Sequence, residues 1–280
     1  MMHANGIGRY SPWLIAGTAL MVPFVPFLVN LWKAWGSDPE FSHGILMPFI
    51  VGYIVWTRRE QLSDQRSPGG FLGLGVLSAG CGLLVLSSLS GTLIMSGIGF
   101  ALAVLGTGVY LWGPRCFRVA AGPIGLLMLM VPLPSYVMGE LSWRLQTMAS
   151  TISSSILRIF GVPVFQDGNI LNIGTYVLEV KQACSGSRSV FALFALALVL
   201  GIGSGRAWWT RFLLVVAAPV LAVGANVMRI VGTGFIAKTF GSLAANESLH
   251  LAWGIAVFVV AVSGLLAFHK YLQWLSNARA

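Results

Sequence analysis

Long apolar runs separated by short polar loops are the feature that most restricts how this chain can fold. Of its 280 residues, 56% are hydrophobic and only 9% are charged, whereas a soluble domain carries about 25% charged residues. A chain so poor in charge cannot cover a water-facing surface, so we expect an integral membrane protein. Eight segments have the composition of membrane helices: Pro12–Trp32, Gly44–Trp56, Phe71–Leu89, Thr92–Trp112, Val119–Leu133, Ala183–Gly203, Phe212–Ala237 and His250–Phe268.

The second of these segments is the least secure as a complete span. Gly44–Trp56 is 13 residues long, and a helix needs ~20 apolar residues to cross the hydrocarbon core. The segment could begin nearer Phe41, or enter and leave the membrane on one face. Around the start of the third segment, Gly69 and Gly73 have the GxxxG spacing that is typical of close helix packing in membranes.

The basic residues predict an orientation in the membrane. Lysines and arginines that flank membrane helices favour the cytoplasm. Ten of the 17 fall on the side of the chain termini and five on the other side, while Arg188 and Arg229 lie within predicted spans. We therefore place both termini in the cytoplasm, and the loops before Cys184 and His250 outside. This topology accounts for the net charge of +9 without a nucleic-acid partner.

We expect a single polytopic membrane domain with one sizeable outer insertion, at about residues 135–182. After turn signals at Gly168-Asn169 and Gly174, an alternating segment around Tyr176–Lys181 predicts a small β-hairpin before helix six. The predicted fold class is thus an all-α integral membrane protein of about eight transmembrane helices. In the first half of the insertion, spacings of three and four predict an amphipathic helix on the outer surface, with one apolar stripe: Leu141, Leu145, Met148, Ile152, Ile156 and Ile159.

Three cysteines give no disulfide framework. Cys81 lies in a predicted span as a packing residue, and Cys116 is most simply structural. Cys184 is predicted on the oxidising outer face at the start of a helix, with Arg188 four residues later on the same face. The helix dipole and this cation favour a thiolate, which is the nucleophilic form. Cys184 is therefore either a reactive thiol or a buried structural cysteine.

Arg229 and His250 are polar residues whose predicted depth in the membrane costs free energy. No predicted span contains an acid, so Arg229 either extends to the interface or contacts an anion or oxyanion. Asn226, three residues earlier, shares its face and could donate a second hydrogen bond. His250 begins the eighth segment and is either an ordinary interfacial histidine or a proton-transfer group beside a thiol. His43 is at another outer helix end and competes for that role.

Metal chemistry is not indicated. His43 and His250 could supply two ligands, but no carboxylate or thiol has ligand spacing to them. We expect no metal and no other cofactor.

Three short blocks resemble the signature motifs of the exosortase/archaeosortase family. They are Ala183-Cys-Ser-Gly-Ser-Arg188, Asn226-Val-Met-Arg229-Ile230 and His250-Leu-Ala-Trp-Gly254, in this order between about Val177 and Gly254. A weaker match is Phe41-Ser-His-Gly44 with Pro48 and Trp56-Thr-Arg-Arg59. Leu251 departs from the more polar residue that members often have there, which bears on substrate recognition.

The resemblance implies a bacterial inner-membrane cysteine protease or transpeptidase with its active site facing the periplasm. Such enzymes are thought to cleave exported proteins beside a C-terminal PEP-CTERM-like signal, which is a short motif, a transmembrane helix and a basic tail. They often accompany exopolysaccharide genes. By this resemblance Cys184 is the nucleophile, through a thioacyl intermediate, His250 transfers protons and Arg229 stabilises the oxyanion. Arg188, Asn226 and His43 would support them.

The resemblance also sets the expected partners. These are membrane lipids, exported proteins with a C-terminal sorting helix and basic tail, and an acyl acceptor that could be water, an amine, a lipid or a glycan. A different class of function also fits the sequence, namely a transporter or flippase-like component of polysaccharide export in which Arg188 and Arg229 bind an anionic substrate. A non-catalytic membrane scaffold is a third interpretation. The transporter interpretation predicts that Cys184 is replaceable. The scaffold interpretation predicts that no single polar residue matters.

Overall fold

The structure is a computed structural model that describes residues 22–63, 70–174, 176–179, 186–204, 207–240 and 247–278. The chain divides into two compact units, Met1–Pro132 and Leu133–Ala280. Each unit is described by itself below.

The first unit is helical throughout its described residues. Its second predicted segment, Gly44–Trp56, is made of the end of a 3-10 segment followed by a short α-helix. Pro39 and Pro48 stand in the first turns of these two elements, because proline is accepted at the start of a helix and not in its interior. The side chain of Asp38 accepts a hydrogen bond from the backbone N of Glu40 at 2.9 Å and begins that 3-10 turn. The helices are α1 (Val25–Ser37), α2 (Met47–Thr57), α3 (Arg59–Ser63), α4 (Gly70–Ser90), α5 (Leu93–Trp112) and α6 (Arg115–Gly125), with 3-10 segments at Val22–Phe24, Pro39–Leu46 and Leu126–Met130.

Glycines bring α4 and α5 into direct backbone contact. A Cβ atom placed on Gly80 would lie 2.6 Å from the carbonyl oxygen of Gly99, and one on Gly99 would lie 2.7 Å from the oxygen of Gly80. Gly73 packs in the same way on the backbone of Tyr110. The predicted close packing is therefore confirmed at Gly73, while Gly69 lies outside the described residues.

The second unit places a small sheet between its helices. The predicted hairpin has a third strand, so the sheet is an antiparallel meander in the order β1-β2-β3. Its turns fall at Gly168-Asn169 and Gly174, as predicted, and Leu171 on β2 pairs with Leu178 on β3. The elements are α7 (Ser135–Ile159), β1 (Val164–Asp167), β2 (Ile170–Ile173), β3 (Tyr176–Glu179), α8 (Ser187–Gly203), α9 (Trp208–Phe240) and α10 (Glu247–Ala278).

Two apolar clusters hold the second unit together. In the first, Leu157 of α7 and Leu171 and Ile173 of the sheet pack with Val227 and Ile230 of α9. The second joins α8, α9 and α10 through small and aliphatic side chains. Helix α9 belongs to both clusters, so one helix connects the sheet to the α8–α10 group.

Helix α7 presents small and polar residues to the protein. The predicted helix is confirmed, but its apolar stripe is exposed or half-buried, and the stripe residues Met148, Ile152 and Ile159 are exposed. In a membrane protein lipid covers apolar side chains, and small residues allow helices to approach closely. The buried face is made of Met138, Ser142, Gln146, Ala149, Ser150, Ser153, Ser154 and Leu157.

The described residues contain four helices that are long and apolar enough to cross a membrane, namely α4, α5, α9 and α10. The count becomes five if the apolar helices on either side of residues 131–134 form one broken span. Helix α8 is apolar but has 17 residues. The total of eight spans stays a prediction, and most of the first one lies outside the described residues.

We predict that Gly80→Ala destabilises the first unit, because the new methyl group would meet the backbone of α5. Overpacking of this kind costs about 1–3 kcal/mol, so the melting temperature of the purified protein in detergent should fall. Gly82→Ala is the matched control, since nothing lies within 4 Å of a Cβ atom at Gly82. Equal melting temperatures for the two variants would contradict the contact.

Candidate active site

Helix α9 carries two polar side chains on its face toward α8 and α10. Asn226 is buried, with 5% of its surface exposed, and Arg229 follows it by three residues. Residues three apart lie on one helix face. The neighbouring Val227 and Ile230 point instead into the cluster with the sheet. The alternation of apolar and polar positions therefore fixes which way Arg229 faces.

The start of α8 rests on the side chain of Asn226. Gly186, which precedes α8, has φ of +79°, a conformation that glycine adopts without strain. A Cβ atom on Gly186 would lie 2.9 Å from Cγ of Asn226. Ser187, the first residue of α8, is completely buried. The contact brings Gly186, two residues after Cys184 in the sequence, against α9.

The structure describes Arg188 but not Cys184. Cys184 lies outside the described residues, so its predicted position stays a prediction. Arg188 was predicted inside a span, but it is the second residue of α8 and its side chain is exposed. The helix begins at Ser187 rather than at Ala183 in the described chain, which moves Arg188 into the first turn.

Two donors fix the backbone of α9 at Arg229. The carbonyl oxygen of Arg229 accepts a hydrogen bond from Nε1 of Trp253 at 3.1 Å and another from Oγ1 of Thr233 at 2.9 Å. The indole of Trp253 fills the space above Gly232, where a Cβ atom would lie 2.5 Å from the ring. Helix α10 is thus held in register with α9 at the level of Arg229.

The guanidinium of Arg229 lies against the backbone of α10 at Gly254. A Cβ atom on Gly254 would be 3.2 Å from Cζ and from Nε of Arg229, and the Nε atom is buried. His250 lies four residues before Gly254 in the same helix. The helical repeat therefore puts His250 on the same face, about 6 Å along the axis. Only the backbone of His250 is described.

The environment of Arg229 is poor in negative charge. Within the described ranges, α8 and α9 contain no acid and α10 contains only Glu247. The guanidinium of Arg229 stays charged and has five donors, so it is suited to an anionic ligand or a developing oxyanion.

His43 belongs to the first unit. Burial lowers the pKa of His43, while hydrogen bonds to the backbone of Glu40 and Leu129 oppose the shift. These contacts give it a structural role in joining two 3-10 segments. Among the described residues, no three histidine, cysteine, aspartate or glutamate side chains are grouped as metal ligands.

The second unit is a helical membrane unit in which the guanidinium of Arg229 on α9 lies against α10, one turn from the contact between Asn226 and Gly186 before α8. A family model described as transmembrane exosortase matches residues 35–267. The chain therefore belongs to the transmembrane exosortase family. Membership in this family suggests a membrane-bound sorting transpeptidase. No curated protein and no solved structure matches the chain significantly.

Sequence reasoning gave no role to the residues that position Arg229. Trp253 and Gly254 were noted only as part of a family block, and Gly232 and Thr233 were not singled out. The signal in the sequence is Gly254, a glycine inside an apolar helix four residues after His250. Glycine weakens a helix interior, so it usually marks a place where another group comes close.

We predict that Gly254→Ala lowers processing of a sorting substrate by about tenfold, because the methyl group would displace the guanidinium of Arg229 by a few tenths of an ångström. Displacements of about 1 Å can cost ~100-fold in rate. Gly264→Ala on the same helix is the control, since its Cβ would lie at an ordinary 3.8 Å from Leu221. Activities that are equal in both variants would show that Gly254 does not position Arg229.

We predict that Trp253→Phe reduces stability by about 1 kcal/mol through loss of the hydrogen bond to Arg229, which lowers the melting temperature by roughly 2–4 °C. Trp274→Phe is the matched control, because Trp274 is 65% exposed on the same helix. A melting temperature that is unchanged by Trp253→Phe alone would mean that the bond contributes nothing to stability.

Proposed function

We propose that this exosortase family member is a cysteine transpeptidase that cleaves a C-terminal sorting signal of exported proteins. The observation that carries the proposal is that three segments meet at Asn226 and Arg229. They are the start of α8 through the Gly186–Asn226 contact, α9 itself, and the turn of α10 that contains His250. Cys184 precedes Gly186 by two residues, and two residues of extended chain span about 7 Å at most. Chain connectivity thus supports a thiol near this point.

In the first step Cys184 would lose its proton to His250 and attack the scissile carbonyl carbon. A carbon–sulfur bond forms, and the carbonyl oxygen becomes an oxyanion. Arg229 would stabilise that charge and Asn226 would donate a second hydrogen bond. Charged and fixed donors in a site of low dielectric are effective at this task.

In the second step the carbon–nitrogen bond breaks and the leaving amine takes the proton from His250. The exported protein is then held as a thioester on Cys184. An acceptor nucleophile, once deprotonated by His250, attacks the thioester, and the carbon–sulfur bond breaks to restore the thiolate. Water as acceptor gives hydrolysis, whereas an amine or a lipid or glycan group gives transfer.

The surroundings favour a substrate that is itself anchored in the membrane. Arg229 is about two thirds of the way along α9, so the proposed site lies nearer the C-terminal end of that helix. The sheet packs on α9 directly behind Val227 and Ile230. A substrate helix alongside the bundle would bring the peptide bond just outside its own apolar segment to this level. The predicted orientation puts that level on the periplasmic face of the bacterial inner membrane.

The proposal is tested by co-expression with a tagged protein that ends in a Pro-Glu-Pro-like motif, a transmembrane helix and a basic tail. We expect removal of the tail by the wild type, and none by Cys184→Ala. Arg229→Lys should lose about 100-fold or more, as loss of an oxyanion donor does elsewhere. Cys81→Ala and Cys116→Ala are the matched controls and should keep full processing.

The same experiment distinguishes the competing classes of function. Processing or export that persists in Cys184→Ala but not in Arg229→Lys would overturn the thiol mechanism and favour transport of an anionic substrate. Processing that no single polar substitution affects would favour the scaffold. A mass increase on Cys184 equal to the exported fragment, recovered from the wild type after a rapid acid quench, would identify the thioester directly.

A further inference from the structure

A second polar site lies at the other end of the helices that carry Arg229. A partly open pocket of about 200 Å³ is formed where α8 ends, α9 begins and the last third of α10 passes. Its polar lining comes from Ser204, Thr210, Arg211, His269 and Gln273. Arg211 and Arg229 are 18 residues apart on one helix, which corresponds to about 27 Å. The pocket is therefore close to a full membrane thickness from the candidate active site.

Arg211 is the charged group of this pocket. Its Nε atom is buried and, among the described residues, has no hydrogen-bond partner. Its aliphatic part packs on Gly201, where a Cβ atom would lie 3.5 Å from Cβ of Arg211. The cost of this buried nitrogen would be offset by an anion that pairs with the charged guanidinium, since Arg211 lines the pocket.

The charge around the pocket selects an anion. Helices α8 and α9 contain no acid in their described ranges, and the one acid of α10, Glu247, is 22 residues before His269. The N-terminus of α9, a helix of 33 residues, adds a positive dipole end beside Arg211. The hydroxyls of Ser204 and Thr210 donate to carbonyls of their own turns. Arg211 is thus the main donor available to an anion.

The aromatic residues around the pocket place it at the depth of lipid headgroups. Trp208 at the start of α9 is 77% exposed, and Tyr271 and Trp274 on α10 are 53% and 65% exposed. Tryptophan and tyrosine collect at the membrane–water interface, where one end of the ring is apolar and the other is wet. An anion at this depth comes most readily from the membrane itself.

The size of the pocket limits the ligand to a small group. The space at the pocket is about 200 Å³ and includes open solvent, so the enclosed part is too small for an acyl chain. A ligand would therefore meet Arg211 with a small polar group at the mouth of the pocket. We propose that it binds the phosphate of an anionic phospholipid headgroup through Arg211, on the membrane face opposite the candidate active site. This site is independent of the proposed peptidase chemistry.

The test uses the full chain purified in detergent, with phosphatidylglycerol, phosphatidylcholine of matched chains, and inorganic phosphate as separate probes. We expect phosphatidylglycerol to raise the melting temperature of the wild type, and native mass spectrometry to show one retained molecule in preference to phosphatidylcholine. Arg211→Gln should weaken the apparent affinity about tenfold, which corresponds to ~1.4 kcal/mol. Lys270→Gln is the matched control, since it removes one exposed charge next to His269 without touching the pocket lining.

Each other outcome argues against the proposal. Equal losses in Arg211→Gln and Lys270→Gln would mean general surface attraction rather than a site. Stabilisation by inorganic phosphate but not by phosphatidylglycerol would make the ligand a soluble phosphate and overturn the lipid assignment. If Arg211→Gln does not fold, the wild-type comparison decides alone, because a lack of preference for phosphatidylglycerol over phosphatidylcholine would overturn the proposal.

Discussion

The hydrogen bond from Trp253 to the carbonyl of Arg229 is the interaction on which the candidate site depends. A charged side chain in an apolar helix is useful only if its head is held at one depth and one angle. Here the fixed point is the backbone, where two side chains share one carbonyl oxygen. The guanidinium is then bounded by Gly254 on α10. Packing between helices therefore contributes to the position of the guanidinium.

Glycine-mediated contact is the common packing device of both units. Lipid tails are as apolar as leucine, so burial of aliphatic surface gives little drive for helices to associate within a membrane. Close approach gains dispersion contacts instead, which requires the smallest side chain at the crossing. Gly80 and Gly99 serve this purpose in the first unit, and Gly232 and Gly254 serve it between α9 and α10.

The sequence predicted the helices better than the contacts between them. Hydropathy located α4 and α5 to within a residue or two, because each helix must be apolar along its length. It gave no account of the 3-10 turns around Pro39 and Pro48, and it missed β1 because a strand of four residues carries little periodicity. Asn226 and Arg229 were identifiable as costly polar residues in a span. The roles of Trp253 and Gly254 depend on the register of two helices, which local sequence does not encode.

Helix α7 has a serine-lined interior and an aliphatic exterior, which inverts the usual arrangement of a soluble protein. The two faces should therefore accept different kinds of change over evolutionary time. On the outer face leucine, isoleucine, methionine and phenylalanine are interchangeable, because fluid lipid adapts to any apolar outline. On the inner face volume is the criterion, so alanine or glycine can replace Ser150 or Ser153 where a leucine cannot. Divergent relatives would then keep the size of these residues long after the hydrophobic ones have drifted.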